Sequence, residues 1–191
     1  MLLDMVKKNR SYRRFFEDVP IGKDDLRSFV NLARLSASAA NRQPLKYFLS
    51  ADREINTLIF RNLAWAAYLK EWPGPSEGER PSAYIIIFGD TSIAKDFWCD
   101  HGIAAQTILL GATEKGFGGC ILAAVNRKGL AEALHIPDHL EILLVIALGR
   151  PKEEVRIEEL PADGDIRYWR DASGVHHVPK RPLEEIILEG F

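Results

Sequence analysis

Arg10, Ser11 and Arg13 place two guanidinium forks and a hydroxyl within one short stretch of chain. Planar, permanently charged forks take the oxygens of a phosphate in pairs, so the cluster suits an anionic group. Lys180 and Arg181 add a second basic pair near the far end. Asn41 and Gln43, in a loop of small residues that closes on Pro44, carry amide donors and acceptors that match the edge of a nitrogen heterocycle. Together they describe an anionic, nitrogen-rich ligand held by separated segments. Taken alone, the basic cluster reads more readily as a solvated face.

Other chemistries find less support. Ser38 has no nucleophile-elbow pattern around it, and Cys120 opens an apolar run in which a thiol is usually buried and inert. His176 and His177 are adjacent, so in a strand they point to opposite faces and do not chelate one ion together. Cys99 and Cys120 form neither a disulfide framework nor a Cys-x-x-Cys pair, so no metal is expected. Gly116-Phe117-Gly118-Gly119 leads into a strand rather than a helix, the wrong order for a pyrophosphate cradle, and there is no P-loop.

These residues need elements to position them. Met1 to Lys8 reads as a short helix, and Lys23 to Leu35 as an amphipathic one with Leu26, Phe29, Val30 and Ala33 on one face. Tyr47–Ser50 is a short strand and Glu54–Leu69 a further helix. Residues 70–81, rich in Pro, Gly and Glu, form a mobile-loop candidate; Trp65 and Trp72 beside it are candidates for stacking on a ligand or, more commonly, for the core. The run Ala83–Phe88 is apolar on every residue, as expected of a strand covered on both faces. Phe97–Lys115 is a long helix whose segment Ile103–Ala112 has Gln106 as its one strongly polar side chain, so it must lie inside something, a subunit interface included. Phe117–Val125 and Glu141–Leu148 are strands, with Arg127–His135 a helix between them. A short helix, Pro182–Leu188, closes the chain. Irregular alternation of strands and helices favours an α+β fold, a mixed sheet with helices on both faces, over a doubly wound parallel sheet.

The chain has 191 residues, 47% of them hydrophobic, with 25 Lys+Arg against 27 Asp+Glu and a net charge of -2. That fits one domain, 1–191, excludes wholesale disorder, and gives no reason to expect nucleic acid as partner. No apolar stretch reaches the length of a bilayer span, and the charged N-terminus lacks a leader pattern, so an intracellular, cytoplasmic protein is expected.

The order and spacing of four segments resemble the nitroreductase family of flavin enzymes: Arg10-Ser11-Tyr12-Arg13-Arg14-Phe15; Ser38-Ala39-Ala40-Asn41-Arg42-Gln43-Pro44; Asp100 to Gln106 running on to Gly119; and Ile146 to Pro151 with the tail Pro179 to Leu183. The resemblance implies FMN bound non-covalently at the interface of an intertwined homodimer, on a mainly antiparallel sheet. By carry-over, Arg10, Ser11 and Arg13 hold the phosphate and ribityl chain, with Lys180 and Arg181 returning to the phosphate. The loop of Ser38, Asn41 and Gln43 lies at the isoalloxazine, and the backbone of Ile121, Leu122 and Ala123 passes close to the ring. The helix Ile103–Ala112 forms the dimer core, and segment 175–191 reaches the partner subunit. The implied activity is ping-pong transfer of electrons from NAD(P)H through flavin N5 to an electron-poor acceptor such as a nitroaromatic or quinone, with no side chain as catalytic nucleophile. The same scaffold also carries dehalogenase and ene-reductase-like chemistry, and a non-catalytic FMN-binding module stays open. Two positions depart from the family pattern. Asn9 stands where many members have a basic residue, and Ile121–Ala124 carries no acid near N5.

Overall fold

The computed structural model describes residues 1–188 and 190. Its main sheet is antiparallel throughout. β5 (Leu140–Pro151) pairs on one side with β3 (Ala83–Asp90), which pairs in turn with β2 (Leu45–Ser50). On the other side of β5 lie β4 (Gly118–Leu122) and the two-residue β1 (Phe15–Phe16). All eight residues of β3 are buried, because helices cover both faces. Ile85 and Ile87 pack with Ile146 and Leu148 against α2 (Lys23–Arg34) and α4 (Asp100–Glu114). Tyr84, Ile86 and Phe88 pack on the opposite face against α3 (Arg53–Phe60) and α5 (Arg127–Leu134). Alternation within an antiparallel strand thus serves two cores instead of one core and solvent.

The expected helix Glu54–Leu69 is half as long. Asp52 caps α3 by accepting from the N–H groups of Glu54 and Ile55, but the helix stops at Phe60. Asn62 Nδ2 donates back to the Leu58 carbonyl, Asn62 O accepts from Asn126 N, and Leu63 bridges Val125. Ala66 sits at φ 42°, which no helix continues through. The apolar spacing of Leu63, Trp65, Ala66 and Leu69 is therefore met by an irregular segment sewn onto residues 124–126 and packed in the second core. Trp65 is a core residue beside Phe60.

α4 begins later than expected, after a turn with Trp98 at φ 44°. One of its faces is in the core, while Gly102, Ile103 and Gln106 form an exposed stripe within the single chain. Beyond β5 the chain builds a second sheet from β6 (Val155–Glu159), β7 (Trp169–Arg170) and β8 (His176–Lys180), with β8 central, parallel to β6 and antiparallel to β7. α6 (Leu183–Ile186) follows, and Leu183, Ile186, Ile187 and Leu188 are exposed; Glu189 and Phe191 of the C-terminal segment lie outside the described residues. Among the described residues no helix is long and apolar enough to cross a membrane.

Candidate cofactor site

Arg10, Ser11, Arg13 and Lys180 converge on one cavity of about 330 Å³, walled also by Gln106 of α4 and Ile121 of β4. The arm that carries the two arginines leaves α1 (Leu2–Lys8) at Asn9, whose N–H bonds the Met5 carbonyl, and runs beside β4. Ser11 bridges Gly119, and Tyr12 N donates to Gly119 O at 3.0 Å. A side chain at Gly119 would meet the Ala147 carbonyl at 2.4 Å, and one at Gly118 the Tyr12 ring at 2.5 Å. Gly118 is what allows the arm to lie this close to the sheet, while Gly119 allows β4 to pack closely on β5 and on Leu109 of α4.

Both forks are partly engaged and partly free. Arg10 donates through Nη2 to the Val6 carbonyl at 2.7 Å, and Arg13 through Nη1 to the Ser11 carbonyl at 3.2 Å, while the Nε of each is buried without a partner among the described residues. Burial pulls the Arg10 guanidinium below its ordinary value.

The arm is anchored from far along the chain by Glu153. Its carboxylate accepts from the backbone N–H groups of Arg13 and Arg14 and from Arg170 Nη2 at 2.8 Å, and its side chain is 1% exposed. Arg170 lies over Trp72, 4.8 Å from the ring centroid. Arg14 turns outward and grips Glu79 with Nε at 2.6 Å and with Nη2, and Lys152 joins at 3.2 Å. Those bonds hold the Glu79 carboxyl down at about 2. Gly78 and Arg80 N–H groups donate to Glu17, so loop 70–81 is tied at its C-terminal end.

The second arm sits elsewhere. Ser38 Oγ donates to Asp100 Oδ2 at 2.6 Å and accepts from Gln43 N at 2.9 Å, while Ala39 N donates to Asp100 Oδ1 at 3.0 Å. Asp100 is the first residue of α4, where the helix dipole favours a negative charge. Ala40, Asn41 and Gln43 are all in the left-handed region, at φ 51°, 53° and 50°, a concentration of backbone strain typical of functional loops. Ser38 and Gln43 line a separate cavity of about 160 Å³ with Tyr47 and Asp100. Burial, then Asp100, pushes the Tyr47 phenol up to about 12.

The sequence-predicted residues thus fall into two groups. Arg10, Ser11, Arg13, Ile121 and Lys180 share the first cavity, and Ser38 and Gln43 the second, with Asn41 exposed beside them and its carbonyl bonded by Gln43 Nε2. Leu122 faces the second core, as strand alternation after Ile121 requires, and Ala123 lies past the strand end. Arg181 is paired with Glu185 rather than directed into the cavity, because only alternate residues of β8, His176, Val178 and Lys180, face it. Cys120 is buried, which pushes its thiol up. His177 faces away from His176, between Glu158 at 2.6 Å and Asp171 at 3.2 Å. Sequence reasoning missed Glu153 and Arg170 as anchors and Tyr168 and His176 as cavity wall.

The nitroreductase family model matches residues 6–150. The chain belongs to the nitroreductase family. A protein of Archaeoglobus fulgidus with the provisional name NADH dehydrogenase/NAD(P)H nitroreductase is 30% identical over 160 residues, covering 80% of this chain and 86% of its own length. Among solved structures, a nitroreductase family protein of Streptococcus pneumoniae TIGR4 superposes with a TM-score of 0.72 at 21% identity over 100% of both chains. A protein of Exiguobacterium sibiricum 255-15 solved in complex with FMN gives a TM-score of 0.66 at 17% identity, over 80% of this chain and 89% of that one. As a nitroreductase-family chain, this one carries the antiparallel sheet with helices on both faces that its segments imply. The family match ends at Arg150, so the sheet of β6, β7 and β8 lies beyond it.

Proposed function

We propose that this chain is an FMN-dependent oxidoreductase that passes electrons from NAD(P)H to an electron-poor acceptor such as a nitroaromatic or quinone. The observation that carries the reading is the first cavity: two arginines whose buried Nε groups have no partner among the described residues, a lysine and a serine hydroxyl, with no carboxylate among the described residues that line it. That donor set fits the phosphate and ribityl hydroxyls of FMN. Bound there, FMN supplies hydride acceptance and donation at N5.

The chain's own residues bind and orient. Arg10, Arg13 and Lys180 neutralise the phosphate, Ser11 donates to or accepts from the ribityl chain, and Ile121 offers an apolar floor. At about 330 Å³ the cavity suits the phosphate end better than the whole cofactor, and the polar loop of Ser38, Asn41 and Gln43 stands in another place. A second copy resolves this: each site takes its arginine arm from one chain and its loop from the other. Supporting that arrangement, apolar side chains stand exposed on α1 (Leu2, Leu3, Val6), at the start of α4 (Trp98, Ile103) and on α6 (Leu183, Ile186). Among the described residues no side chain at the first cavity is poised as a nucleophile, and specificity for the acceptor rests on access and on orientation of the ring.

The test is a titration of purified protein with FMN, followed by NADH or NADPH oxidation with a quinone as acceptor. The expected result is about one FMN per chain, oxidation of the nicotinamide only with FMN present, and loss of flavin from the Arg10→Ala/Arg13→Ala variant. Retention of FMN unchanged in that variant would overturn the phosphate assignment; no flavin binding by the unaltered chain would overturn the enzyme reading.

A further inference from the structure

Besides the Glu153 anchor, the segment beyond the family match meets the cofactor arm at the side chain of Arg13. Its Nη1 lies 3.2 Å from Nε2 of His176 in β8, and its guanidinium carbon 4.9 Å from the centroid of Tyr168. The Tyr168 and His176 rings are themselves 5.1 Å apart. A guanidinium has no acceptor, so Nε2 of His176 accepts and the imidazole is neutral, with its proton on Nδ1. The surroundings agree: His176 is 1% exposed, and the charged or titratable groups acting on it are Arg13, Arg170 and His177. Burial first, and these groups next, hold it down to about 4, whereas Glu158 and Asp171 push the adjacent His177 up.

A neutral acceptor does something a carboxylate could not do here. It fixes one edge of the guanidinium while leaving the full positive charge for a ligand, and the Tyr168 face fixes its plane by cation–π attraction. Arg13 Nε is left buried and without a partner among the described residues, on a side chain that lines the cavity. An unrestrained arginine loses its rotamer freedom on gripping a phosphate; one already held by His176 and Tyr168 loses less.

We propose that His176 and Tyr168 are positioning residues for Arg13, so that a sheet outside the residues matched by the family model sets how tightly the cofactor phosphate is gripped. This rests on the FMN reading above.

The test compares FMN with riboflavin, which lacks the phosphate, in equilibrium titrations of the unaltered chain, His176→Phe, Arg13→Ala and the double variant. His176→Phe is expected to weaken FMN about tenfold, a charge-assisted contact's worth. Riboflavin is expected to change less than about twofold, and so is FMN when His176→Phe is added to Arg13→Ala. His176→Gln, whose amide oxygen can accept from Nη1, is expected to restore much of the loss; Tyr168→Leu repeats the pattern should His176→Phe not fold. Equal losses for both flavins, or a full extra loss in the Arg13→Ala background, would overturn the proposal. If the unaltered chain binds neither flavin, the FMN reading has failed, and nitrogen NMR of the flavin-free protein decides the positioning contact by itself. His176 is then expected as the Nδ1–H tautomer titrating near 4, and Arg13→Ala is expected to raise it. An unmoved titration would overturn the contact.

Discussion

The arginine arm and the Ser38–Gln43 loop are each fastened by one buried carboxylate, and the two fastenings are built differently. Glu153 holds the arm through two backbone N–H groups and is itself paired with Arg170. Asp100 holds the loop through a hydroxyl and one N–H, has no cation bonded to it among the described residues, and sits at the N-terminus of α4. The arm carries Arg10, Arg13 and Arg14, so its anchor must avoid the forks; Glu153 does so by taking backbone groups and finding its counter-charge in Arg170. The loop carries strain instead of charge, and Asp100 offsets left-handed backbone at three residues. The difference teaches that charge on the ligand side sets how expensive the anchor is. A basic arm needs a paired, deeply buried carboxylate, whereas a polar loop needs only hydrogen bonds and a helix end.

Breaking the two anchors separately is the largest test. Glu153→Ala leaves Arg170 unpaired beside two orphaned N–H groups and should cost about 3–5 kcal/mol in urea unfolding, with FMN affinity falling much more than riboflavin affinity. Asp100→Ala should cost less, about 1–3 kcal/mol, and weaken both flavins alike, because in the proposed site the loop faces the ring rather than the phosphate. Equal costs and equal flavin profiles for the two variants would dissolve the distinction.

Acid sharpens it on the arm. His176 is held down to about 4 from 6.5, so its contribution to stability is complete above pH 6.5 and is lost as pH falls from there through about 4. Glu79 is held at about 2 from 4.5, so the Arg14 and Lys152 contacts to it add a second loss as pH falls from 4.5 through about 2. Melting temperature against pH should show both limbs; His176→Phe should flatten the upper and Glu79→Gln the lower. The smallest effect is expected at the tail. Arg181→Ala breaks only an exposed pair with Glu185, worth less than about 1 kcal/mol, and should leave FMN affinity nearly unchanged, while Lys180→Ala weakens it. The reverse order would mean that the tail turns over when the cofactor binds.

Much of this was legible in residue order. The runs 83–88 and 141–148 declare buried strands, the 3.6-residue period declares α2, and the basic arm and the small-residue loop declare themselves by composition. Residues 61–69 misled because apolar spacing compatible with a helix can also be satisfied by chain sewn to a distant turn, here 124–126. Glu153 was invisible for a different reason. It sits in an acidic stretch, Glu153-Glu154, and only the return of the chain to Arg13 singles out the first of the two. A period-two signal was available in His176, Val178 and Lys180, which share the cavity face of β8 and separate Lys180 from Arg181.

The central claim, that each cofactor site joins the arm of one chain to the loop of another, is tested most directly by mixing two crippled chains. Arg10→Ala/Arg13→Ala lacks the arm, and Asp100→Ala has a loosened loop. Co-refolded, a mixed pair holds one site with both defects and one with neither. The account predicts that the mixture regains tight FMN binding, at about one flavin per mixed pair, although neither variant binds tightly by itself. No recovery on mixing, with each variant still folded, would contradict it.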